Sequence, residues 1–232
     1  MEKRILVKNV IAGVLYLGAV SFIVFIIGMF VFKSVAYIDI SGLMIIALIF
    51  CCPVVIATFL LVSNAQGVDK RLRIMKRFVI FVFVFYTIIL ISLLFLNGRL
   101  RFGVSYTMGI MQYLHDNANF IPFKTIGNYI KAFFSGALYK STVIENIAGN
   151  LLAFAPMGIL LPNIFGKLRN FKTYFITILV ILIGVEILQL TTHTGRGDID
   201  DVILNLFGAV IFYGLWRLNV MQKILRKIYI IK

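Results

Sequence analysis

The sequence predicts an all-α, polytopic membrane protein with about six transmembrane helices, both termini cytoplasmic and a short interfacial helix on the outer face. Three observations carry that prediction. The first is composition: of 232 residues, 61% are hydrophobic and only 14% are charged, with a mean hydropathy of +1.01. A soluble domain is closer to half apolar and a quarter charged. The second is a set of six apolar segments, near 10–32, 43–62, 78–96, 143–161, 174–190 and 202–218, each close to the ~20 residues a bilayer core requires. The third is where the basic residues fall.

Sixteen of the 23 lysines and arginines lie in the N-terminal tail, in the second-to-third and fourth-to-fifth connections, and at the C-terminal end. These four places share one side in a six-span alternation, and the positive-inside rule makes that side cytoplasmic. The formal net charge of +14 is therefore read as a topology signal and not as a nucleic-acid surface. Lys3, Arg4 and Lys8 before an apolar run imitate a signal peptide, and Ser34-Val35-Ala36 imitates its cleavage site. The run over 10–32 exceeds a signal core, so it is read as a retained first helix. Cys51 and Cys52 are adjacent in the second apolar run and fit neither a disulfide framework nor zinc spacing.

The organisation read from these elements is two N-terminal helices over 1–77, a main membrane domain over 78–218 and a basic tail over 219–232. Within the long outer segment 97–142, Ile126, Ile130, Phe133, Phe134 and Ala137 recur at helical spacing with Lys131 on another side, predicting the interfacial helix. Pro122 biases Ile121 away from helix, so residues 119–123 are expected to turn.

Candidate functional residues concentrate in 184–208, which holds four of the nine acids: Glu186, Asp198, Asp200 and Asp201. Glu186 lies inside an apolar run, where an ionisable group is costly unless it faces protein or water. Glu186, Gln189 and His193 stand at spacings of three and four, as do Asp198, Asp201 and Asn205, so each set is expected on one helix face. Asn146 and Asn150 share a face of the fourth segment. Counted from the expected outer ends, Asn150, Glu186 and Asn205 lie at one depth, ~10 Å at 1.5 Å per residue. Arg196 in the turn supplies a cation able to grip carboxylate or phosphate bidentately.

Structural readings stand beside these. Thr142 with Glu145 forms a capping-box pattern, and Asp198 or Asp200 can cap the sixth helix. Membrane asparagines commonly tie helices together by hydrogen bonds, and Pro156 with Gly158 can simply kink the fourth helix. A lone His193 does not make a metal site. No cofactor or metal is expected.

Four motifs in order then resemble a known family. They are Asn119-Phe120-Ile121-Pro122-Phe123; Glu145-Asn146-Ile147-Ala148-Gly149-Asn150 with Phe154-Ala155-Pro156-Met157-Gly158 and Leu161-Pro162; Glu186-Ile187-Leu188-Gln189; and the run from Arg196 to Asn205 with Gly208. Over 78–217 the chain resembles the VanZ-like family, bacterial membrane proteins associated with teicoplanin-type glycopeptide resistance. The first two helices lie outside the resemblance, and Leu206 departs from the small or threonine residue usual after the last Asn. The resemblance implies Asn146, Asn150, Glu186, Gln189, Arg196, Asp198, Asp201 and Asn205 as site residues.

Two functions of different classes follow. In one, an outward polar pocket binds the headgroup of a membrane lipid or lipid-linked envelope precursor. In the other, an intramembrane enzyme modifies an envelope lipid, with Glu186 as general acid or base and Asp198 or Asp201 as second carboxylate. No serine nucleophile motif, zinc signature or phosphate loop favours the enzyme. A third reading is a structural partner of another envelope protein.

Overall fold

The computed structural model describes residues 2–31, 40–96 and 118–231. The cleavage-like Ser34-Val35-Ala36 and the front half of the long outer segment, 97–117, lie outside the described residues. In chain order the elements are α1 (Glu2–Val31), α2 (Ile40–Asn64), α3 (Val68–Ile91, continuing into a π turn Ser92–Leu96), β1 (Ala118–Asn119), α4 (Lys124–Ser135), α5 (Lys140–Ala153), α6 (Met157–Ile164), a 3-10 turn (Gly166–Arg169), α7 (Phe171–Thr191), β2 (Gly197–Asp198), α8 (Ile199–Arg217) and α9 (Asn219–Lys227). Among the described residues the chain is all-α apart from the parallel pair β1–β2, where Ala118 pairs with Gly197 and Asn119 with Asp198.

Four stretches among the described residues are long and apolar enough to cross a membrane: Val68–Phe95, Lys140–Ile164, Phe171–Thr191 and Ile199–Arg217. They match the third to sixth expected segments. The described apolar parts of α1 and α2, Ile5–Ser21 and Cys51–Asn64, are shorter.

The chain divides into two compact units. In Met1–Thr87 with Leu225–Lys232, α1 packs on α2, and the Tyr16 hydroxyl meets that of Thr58 at 2.6 Å. Gly67, at φ 85°, makes the turn from α2 into α3. Arg71 donates to the Tyr229 hydroxyl at 2.7 Å and to the Ala65 carbonyl at 3.1 Å, tying the C-terminal residues to the start of α3.

The other unit, Ile88–Ile224, is organised around α8, which packs on α5, α6 and α7. The contact with α5 is backbone against side-chain-free backbone: a Cβ at Gly208 would run into the Leu151 carbonyl. A Cβ at Gly158 would lie 2.5 Å from the Ala209 carbonyl, so α6 presses on α8 in the same way. The expected fourth segment is two helices. Its ladder breaks at Phe154-Ala155-Pro156, where the proline has no N–H to donate.

The end of α8 remote from residue 199 is locked by aromatic residues. Tyr174 and Tyr213 stack with centroids 4.4 Å apart. The Tyr174 hydroxyl donates to the Ala209 carbonyl at 3.1 Å, and the Tyr213 hydroxyl to the Arg169 carbonyl at 2.5 Å. Trp216 Nε1 donates to Asn163 Oδ1 at 3.1 Å. Both tyrosines are essentially fully buried, with every hydroxyl bonded, as buried aromatic polar tips require.

The predicted short helix is α4. It stops at Ser135 because Gly136 takes the left-handed conformation at φ 72°, which leaves Ala137 outside it.

Candidate functional site

At the other end of α8, the turn 192–198 brings carboxylates from two helices together. Asp198 precedes α8, and its Oδ1 accepts the Asp200 N–H at 2.9 Å, a helix N-cap. The same carboxylate accepts Asn119 Nδ2 at 2.9 Å on Oδ1 and the Thr125 hydroxyl at 2.5 Å on Oδ2. Glu186 reaches across the turn from α7, and its Oε2 accepts the Asp198 N–H at 3.0 Å. The carboxyl therefore faces protein. Glu186 also lies within electrostatic reach of the Asp198 and Asp201 side chains.

Asp200 is fully buried and serves a different helix. It accepts the Phe123 N–H at 2.5 Å and the Ile126 N–H at 3.0 Å, so it caps α4 and not α8. An anion there satisfies two of the N–H groups that a helix start leaves without intrahelical partners. Phe123 sits at φ 64°, in the left-handed region, at a cost of about 1–2 kcal/mol for a non-glycine residue. The bond from Asp200 holds it there. Sequence reasoning offered Asp200 as a cap of the sixth helix. It missed Thr125, because a threonine in a polar stretch gives no periodic signal. Asn119 was visible only as part of a motif.

Asp201 points toward α5, where Asn150 Nδ2 donates to its Oδ1. One turn further along α8, Asn205 is buried, at 5% exposure. Its Nδ2 donates to the Asp201 carbonyl at 2.7 Å. Its Oδ1 is buried with no hydrogen-bond partner among the described residues. Buried polar atoms are rarely left so, since each costs about 1–3 kcal/mol.

Of the remaining expected residues, Asn146 and Gln189 bond elsewhere. Asn146 Nδ2 turns back to the Thr142 carbonyl at 2.7 Å within its own helix. Gln189 Nε2 donates to the Leu94 carbonyl in the π turn at 3.0 Å, and its side chain also lies against Gly195. Arg196 is exposed in the turn. α7 ends at Thr191 and His193 lies beyond it at φ 53°, so His193 does not continue the face of Glu186 and Gln189. The equal-depth expectation also changes. α5 starts at Lys140, three residues earlier than counted, and α7 ends two residues before His193, so Asn150 meets Asp201 and not Asn205. The early start puts Thr142 inside the first turn, and Tyr139 precedes the helix without a side-chain cap. The Thr142–Glu145 capping box does not form.

The direct bonds thus make two pairs, Glu186 with the Asp198 backbone and Asn150 with Asp201, and Asn205 adjoins the second through the Asp201 backbone. Asp198 and Asp200 spend their oxygens on positioning α4 and α8. Glu186, Asp201 and Asn205 each keep an oxygen with no hydrogen bond described. Such oxygens can accept hydrogen bonds from hydroxyl, amide or ammonium groups.

Comparison with known proteins agrees with the motifs that hold this site. A curated relative, Protein VanZ of Enterococcus faecium, is 29% identical over 126 residues, which is 53% of this chain and 68% of that protein. No solved structure matches the chain. A family profile described as VanZ/LLP1 matches residues 83–222 and takes in the acid turn, the asparagines of α5 and the whole of α8, and the chain therefore belongs to the VanZ/LLP1 family.

Proposed function

We propose that this VanZ-like bacterial membrane protein binds the headgroup of a lipid-linked or peptidoglycan-type envelope precursor at the Glu186–Asp201–Asn205 cluster, and by doing so contributes to teicoplanin-type glycopeptide resistance. In this reading all six expected segments span the plasma membrane and both termini are cytoplasmic. The cluster faces outward, and α4 lies in the outer interface. The basic residues flanking the segments favour that orientation.

The observation that carries the binding reading is Asn205 Oδ1, buried without a partner among the described residues, beside acidic side chains with oxygens to spare. A site built only to hold helices together has no use for an acceptor that nothing satisfies. Sugar hydroxyls and peptide amides are donors that fit such oxygens, and Arg196 at the turn suits a phosphate.

The test is resistance in cells carrying Glu186→Gln or Arg196→Ala at normal membrane levels. The amide keeps the shape and most of the hydrogen bonding of Glu186 but not its proton chemistry. Binding predicts that Glu186→Gln retains most of the teicoplanin tolerance while Arg196→Ala loses it. Complete loss in Glu186→Gln with normal expression contradicts binding and turns the site into an enzyme acting on an envelope lipid, with Asp201 as second carboxylate. Asp198 is less suited to that part, because both its oxygens are already bonded.

A further inference from the structure

We infer that the groove between α4 and α5 is a binding site for one acyl chain of an anionic phospholipid, whose phosphate sits on Lys140. The groove has a volume of about 280 Å³ and is lined by apolar side chains, among them Ile130, Phe133 and Phe134 from α4 and Ile144, Ile147 and Leu151 from α5. Its size is at the lower end of the roughly 300–1,000 Å³ of ligand pockets, and its lining offers no polar side chain, so a length of hydrocarbon chain suits it. Ile130, Phe134 and Ile144 are 47%, 82% and 55% exposed, so the groove is open along its side. α5 belongs to a stretch able to cross a membrane, and an open apolar face on such a helix meets lipid.

Charge selects which lipid. Lys140 precedes Ile144, Ile147 and Leu151 by four, seven and eleven residues, so it shares their face at the mouth of the groove. Its ammonium lies 5.3 Å from the centre of the Phe133 ring, one of the groove walls. From residue 118 to residue 144 the chain carries Lys124, Lys131 and Lys140 and no acid. Glu145 is exposed and lies off the groove face, 140° round the helix from Lys140 at about 100° per residue. A chain in the groove would thus place its headgroup beside a cation in a stretch, 118–144, that carries no acid, an arrangement that favours phosphatidylglycerol over phosphatidylcholine.

The experiment is photolabelling of the purified full-length protein in bilayer discs, using phosphatidylglycerol or phosphatidylcholine with a photoreactive group in the acyl chain. Labelled peptides are mapped by mass spectrometry. We expect phosphatidylglycerol to label the peptides over 130–151 more strongly than phosphatidylcholine. Lys140→Gln, which removes the charge at an exposed position and with it the cation's contact to the Phe133 ring, should reduce that labelling about fivefold, what one lysine near an anionic surface is worth. Ala148→Trp, which fills the groove, should abolish it for both lipids. Equal labelling by the two lipids in wild type, or full labelling in Lys140→Gln, overturns the proposal. The site does not rest on the carboxylate cluster, so Glu186→Gln should label as wild type does.

Discussion

The two ends of α8 do the same mechanical work with different chemistry. At the Tyr213 end, neighbouring elements are tied by stacked aromatic rings and neutral hydrogen bonds, and every buried hydroxyl has a partner. At the Asp198 end they are tied by carboxylates, at ~20 Å along the same helix. The aromatic end shows that this fold can fasten α8 cheaply. The acidic end carries more ionisable groups than fastening requires, and among the described residues nothing satisfies Asn205 Oδ1. Desolvating ionisable groups in a membrane protein is expensive, and under the proposed function the excess marks the end whose chemistry is used.

Asp200→Ala strands the Phe123 and Ile126 N–H groups and releases the left-handed Phe123. It should cost about 3 kcal/mol, since hydrogen bonds to a buried charged group are worth about 1.5–3 kcal/mol and two are lost. The check is thermal unfolding in detergent, together with faster proteolysis in and around α4. Tyr213→Phe removes one neutral bond, to the Arg169 carbonyl, and should cost about 1 kcal/mol in the same unfolding assay. It should leave teicoplanin tolerance unchanged at matched protein levels. A loss of tolerance there would erase the difference between the two ends.

Much of this was legible in the sequence, and the reasons differ by element. The last four apolar segments could be read because length and hydropathy alone define them; the structure finds the last three within a few residues, while the helix of the third starts ten residues earlier, at Val68, because its first turns are the basic stretch 70–77 that hydropathy leaves out. α4 could be read because Ile126, Ile130, Phe133 and Phe134 keep helical spacing. The partners of Asp198 and Asp200 could not. Both acids bond to groups more than 70 residues earlier in the chain, and no local spacing encodes that closure. The β1–β2 pair was hidden for the same reason, being two residues long on each side. His193 was misplaced because three-and-four spacing was carried past Thr191, where the helix had already ended.

The smallest effect on stability belongs to Asn205→Leu, and there the account is most exposed. The substitution loses one bond to the Asp201 carbonyl and also removes the unsatisfied Oδ1, so the two changes nearly cancel, within about 1 kcal/mol. The decisive measurement is the set of envelope lipids that stay with the protein through mild detergent purification, identified by mass spectrometry for wild type and for Asn205→Leu at equal thermal stability. The account predicts a polar-headed, lipid-linked precursor retained by wild type and lost from the leucine variant. Identical lipids on both proteins would contradict it.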